Sequence, residues 1–129
     1  MEIPLRAALL AWLAADPLLA AQLNAVTEEA PSRTALPWLA VAASASADWS
    51  AKDVAGREVR VALELHCRGD QLDAAASLVA AIEARIAALP PAQAGLQVVT
   101  VTFLRARAEM RSANTRAVLL EYRFRVLAG

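Results

Sequence analysis

Two adjacent stretches, Arg57–Cys67 (REVRVALELHC) and Asp70–Leu89 (DQLDAAASLVAAIEARIAAL), decide how this chain is read. In the first, Val59, Val61, Leu63, Leu65 and Cys67 alternate with Arg60, Glu64 and His66. A period of two is the mark of a half-buried strand. In the second, Leu72, Val79, Ile82, Ile86 and Leu89 recur at helical spacing, and Pro90-Pro91 stops the run. That spacing predicts an amphipathic helix, with Asp70 as its N-cap and Asp73 near its first-turn amides.

Towards the C-terminus, Leu96–Glu109 and Thr115–Leu127 read as two long strands joined by a turn at Ser112-Ala113-Asn114, forming an antiparallel hairpin. In the second strand Val118, Leu120, Tyr122, Phe124 and Val126 share one face, and Glu121, Arg123 and Arg125 the other. The first strand is less regular, because Val99, Val101 and Phe103 have the same parity as Arg105 and Arg107. Either a bulge switches the faces or the strand runs on past the core; the overrun is the preferred reading.

Towards the N-terminus, Ile3–Ala15 reads as a helix with Leu5, Leu9, Trp12 and Leu13 on one stripe, and Asp16-Pro17 as the cap and first residue of a short helix ending near Leu23. An extended piece at Asn24–Thr27, a turn at Ala30–Arg33 and a short strand at Pro37–Val41 follow. Ala42–Gly56 shows no sustained period and reads as a long loop. The expected fold class is therefore α+β: an antiparallel-dominated sheet in one domain spanning residues 1–129, with an N-terminal and a central helix packed on one face, in the order α-α-β-β-α-β-β.

Composition bounds the function. The hydrophobic fraction is 58%, much of it alanine, and Arg6, Asp16 and Pro17 interrupt the apolar N-terminal stretch before it could span a bilayer, so no membrane partner is expected. Thirteen basic residues, of which Lys52 is the single lysine, balance 13 acidic ones, leaving no overall field to attract nucleic acid or anionic lipid. One cysteine, Cys67, excludes a disulfide framework and suits a reducing cytoplasm.

No catalytic set emerges. His66 and Cys67 are strand neighbours pointing to opposite faces, so they cannot share a proton. Glu28 and Glu29 lack an anchoring element, and the four glycines build no phosphate cradle. The expectation is no enzyme, no metal and no cofactor. The local asymmetry is arginine. Arg105, Arg107, Arg111, Arg116, Arg123 and Arg125 stand against Glu109 and Glu121, and on a long hairpin they would form a basic ribbon. Such a ribbon is either a solvated, edge-protecting surface or a contact with another subunit or partner. Trp49, beside Lys52 in the long loop, is either a partner anchor or a side chain folded back on the sheet.

Taken together, LRAALLAWLAADPLLAAQLN, the Ala30-Pro31 pair, PWLAVA, EVRVALELHC, DQLDAAASLVAAIEARIAAL and the arginine-bearing hairpin resemble the tail terminator, or tail completion, proteins of siphovirus-type phages and gene transfer agents. The resemblance implies a structural protein without a reaction. It would form a ring, usually a hexamer, that caps the finished tail tube and meets the head-side connector or stopper, with DNA passing through its lumen without sequence-specific binding. Its place would be the bacterial cytoplasm during assembly and then the head-proximal end of the tail. The resemblance does not assign contact residues; Trp49, Lys52, Arg105, Arg107, Arg111, Arg123 and Arg125 are candidates from charge and position. The competing expectation is a small ferredoxin-like ligand-binding or regulatory module.

Overall fold

The computed structural model describes residues 1–129. Helix α1 (Glu2–Ala14) and the short α2 (Pro17–Gln22) come first, followed by β1 (Val26–Thr27), β2 (Trp38–Asp48) and β3 (Gly56–Arg68). Helix α3 (Leu72–Ala87) separates these from β4 (Ala92–Gln93), β5 (Leu96–Arg111) and β6 (Thr115–Ala128). The six strands lie side by side in the order β1-β2-β3-β6-β5-β4. All pairs are antiparallel except β1 with β2, so the sheet is mixed. The expected element order is corrected by β1 and β4, whose two residues each are too few to leave an alternation in sequence.

The alternations of β3 and β6 fall as read. Val59, Val61, Leu63, Leu65, Leu120, Phe124 and Val126 are buried and join Leu5, Leu9 and Leu13 of α1 and Leu78, Ile82 and Ile86 of α3 in one core. The helices thus cover one face of the sheet, hereafter the helix face. Burial of this continuous apolar surface is the main favourable term holding the layers together. Asp16 caps α2 as its sequence suggests, accepting from the Leu19 amide at 3.1 Å.

Four expectations change. Ala42–Gly56 is not a long loop, because β2 continues through Asp48 against β3 and leaves only residues 49–55 as the connection. Alanine and serine are poor strand formers with no apolar alternation, and their extended state is imposed by the ladder to β3. On the helix face Ser44 accepts from Arg6 Nη1 at 3.1 Å, and Ser46 bonds Glu2, so α1 lies over this strand.

In β5 the register shifts between Val98 and Thr100 and again between Phe103 and Arg105. These bulges, not the overrun alone, explain the parity. Val101 and Phe103 lie opposite Phe124 and Tyr122 on the helix face, whereas Arg105 and Arg107 lie opposite Glu121 and Leu119 on the other. The hairpin also extends past the helices: Ala106 and Ala108 share the helix face with Leu120 and Val118 yet are exposed.

Helix α3 starts at Leu72 with Gln71, not Asp70, in the capping place, and no side chain caps it. Leu72, expected in its buried stripe, is 57% exposed, and Leu78 takes the buried role.

Candidate functional site

The surface that gathers the candidate residues is the outer face of the sheet, opposite the helices. Cross-strand register builds it in rows: Glu58 beside Arg125, Arg60 beside Arg123, and Glu121 beside Arg105. Arg107 and Arg111 continue β5 on the same face, opposite Leu119 and Thr115. The basic ribbon expected from the hairpin is corrected to a mixed-charge lattice, because β3 brings Glu58 and Glu64 alongside. Arg125 Nε lies 3.3 Å from Glu58 Oε2, and Arg105 donates through Nε and Nη2 to the two carboxylate oxygens of Glu121. Arg111 bonds Glu109 and reaches Glu64 at 3.4 Å.

These contacts perturb the carboxyls in one direction. The hydrogen bond from Arg105 holds Glu121 below the usual carboxylate range, and that from Arg111 does the same for Glu109. Exposed pairs of this kind contribute little to stability, and their worth is in ordering charge on the face. Arg60, Arg107 and Arg123 make no contact with a carboxylate, and Arg123 Nε has no hydrogen-bond partner although its atom is buried. Arg60 stands directly opposite Arg123, a like-charge pair. Arg116 departs from the group: it lies in the row of Cys67 and Met110, on the helix face.

Trp49 is half-buried in the β2–β3 turn, with the Arg125 guanidinium 5.7 Å from its ring centroid; Lys52 is exposed at the tip. Gly56 closes this turn: a Cβ there would lie 2.6 Å from the Trp49 carbonyl oxygen. Trp49, Arg125, Arg123 and Arg105 therefore share the outer face or its end, and Lys52 stands apart.

His66 stacks on Trp38 with ring centroids 4.0 Å apart, and its Nε2 is 2.8 Å from Glu64 without the alignment of a hydrogen bond. Cys67 is buried on the opposite side, and desolvation raises its thiol pKa. Glu28 pairs with Arg6, far in sequence from His66, and no group of three His, Cys, Asp or Glu side chains converges to hold a metal ion. This face carries an open depression of about 280 Å³ lined by Ala43, Ala45, Arg60, Leu104, Arg105 and Glu121.

The carboxylates of β3 are the residues that sequence reading left out of this face. Their signal was present, since Glu58, Arg60 and Glu64 share a parity, but nothing local says that β3 neighbours β6 and not β5.

The family model described as tail completion protein gp17 matches residues 7–127. The chain belongs to this tail completion family. Among solved structures, a chain of the virion of a native gene transfer agent particle superposes with a TM-score of 0.85 at 24% sequence identity, covering 98% of this chain and 97% of that one. Comparison with curated proteins gives no match. At that identity the superposition establishes the shared fold, and the family model establishes membership. The chain is accordingly a structural component of a phage-type tail, and no helix in it is long and apolar enough to cross a membrane.

Proposed function

We propose that the protein is a tail terminator: copies form a ring, hexameric by resemblance to its family, that caps the tail tube at its final length and presents a surface to the head-side connector, while DNA passes through the lumen. Membership of the tail completion family over residues 7–127 carries this reading. Two physical features support it. The outer face is an ordered array of both charge signs, suited to registering one protein surface against another, and the sheet offers long strands to a neighbour. Trp49, Lys52 and the arginines at 105, 107, 111, 123 and 125 are the proposed contacts with tube, connector or neighbouring copies. Assembly in the bacterial cytoplasm precedes incorporation at the head-proximal end of the tail.

The test is the mass of the purified chain by light scattering, alone and mixed with the tail-tube protein of the same particle. Closed rings, formed alone or on addition of tube protein, are the expected result. A chain that stays monomeric and ignores the tube overturns the proposal.

A further inference from the structure

The sheet ends in two free edges. β1 covers β2 only at Leu39 and Ala40, a register that also engages the Val41 amide, and from Ala42 to Asp48 the strand pairs with β3 alone. On the other side β4 covers β5 only at Leu96 and Gln97; Val98 donates to Pro91, and beyond it the edge from Val99 to Arg111 is unpaired. Unpaired edges are templates for another strand, and proteins usually blunt them with charge, proline or brevity. Past the register shift at Ala42, β2 carries no charge and no proline from Ala43 to Ala47.

We infer that the free edge of β2 in one copy pairs with the free edge of β5 in the next, so that neighbouring sheets are continuous. The inference rests on the ring reading and names the joint between its members. Each chain carries both halves, one on either side of the same sheet, as head-to-tail closure of a ring requires. Within the sheet β2 and β5 run antiparallel, so rotation about an axis close to the strands brings them together in the antiparallel sense. The stretch Ala42–Asp48 then gives about seven hydrogen bonds at roughly one per residue.

Charge selects this partner. In the parallel register of β1 with β2, Glu28 and Glu29 follow Thr27 at the level where the free edge of β2 begins. Glu29 is exposed and makes no ion pair. An antiparallel neighbour brings the C-terminal half of β5, with Arg105 and Arg107, to that end, and its neutral half, Val99–Phe103, against the alanines and serines. Arg107 makes no direct contact with a carboxylate within its own chain. Phe103 and Val99, 48% and 46% exposed, would be covered at the joint.

Cysteine pairing tests the joint. Ala45 and both Thr100 and Thr102 lie on the outer face, so A45C is combined with T100C or T102C in the full chain. Within one chain two strands intervene, placing these sites roughly 14 Å apart at ~4.8 Å per strand spacing, too far for an internal disulfide. Mild oxidation of rings, formed with tail-tube protein where needed, is expected to give covalent multimers for at least one pair, and none for A45C with L72C. Separately, Glu29→Arg should raise the concentration for half-assembly about tenfold, and Arg107→Glu in the same chain should restore it. Intact rings with neither cross-links nor a charge effect overturn the edge joint and leave the ring reading standing. Cross-links from β2 to the tube protein in place of a second copy also overturn it. No rings in any condition overturn both.

Discussion

At the scale of single residues, Tyr122 reports how well the core is closed. It is the only tyrosine, it packs edge-on against Phe103 at 5.5 Å, and desolvation, followed by the charge of Glu83, pushes its pKa up from 10.0 to about 12. The folded state favours the neutral phenol, so its contribution to stability is complete below the unfolded value and is lost as pH rises from about 10 towards about 12. Phenolate absorbance should titrate near the upper value in the folded protein and near the lower one in denaturant; equal midpoints would mean that the pocket around the ring is open to water. The burial of Tyr122 was legible because its neighbours Leu120 and Phe124 share its parity. The partners of the arginines were not, since a salt bridge across strands depends on which strand lies alongside. Trp49 is a mixed outcome: half-buried beside Arg125, it packs on the sheet while keeping an exposed part.

At the scale of elements, α1 and α3 are joined by a reciprocal clasp. Trp12 Nε1 donates to the Arg85 carbonyl at 2.6 Å, Arg85 Nε donates to the Trp12 carbonyl at 2.8 Å, and the guanidinium lies 3.3 Å from the indole centroid. A lysine keeps the charge but not the planar fork or the stacking. Arg85→Lys should therefore lower stability by about 1 kcal/mol and Arg85→Ala by about 2 kcal/mol in urea unfolding; a lysine variant as stable as the wild type would make the clasp dispensable. Elements with strong periodicity, such as β3, α3 and β6, were legible because burial itself writes the period. The second half of β2 was not, because Ala42–Ala47 owes its extended form to β3 and not to its own residues. The parity conflict in β5 signalled irregularity correctly, and two register shifts resolve it.

At the scale of the whole molecule, charge balance governs what the protein attracts. Its formal net charge is zero, and the outer face pairs Arg105, Arg111 and Arg125 with carboxylates. Weak affinity for duplex DNA is the consequence, because few phosphates can be neutralised without displacing an internal pair. Fluorescence anisotropy with a short duplex at ~0.15 M salt should show no saturable binding by the unassembled chain; tight, salt-sensitive binding would mean that the lattice behaves as a basic ribbon after all. The topology has a kinetic consequence as well. β6, the latest strand in the chain, lies between β3 and β5 at the centre of the sheet, and its pairing with β3 spans as many as 71 residues, from Gly56 to Leu127. Contacts so distant in sequence close slowly. A ribosome must release β6 before the sheet can exist, so β2 and β5 become edges of one surface only once that strand is in place, and a chain cut short before β6 has no continuous sheet with which to enter an assembly.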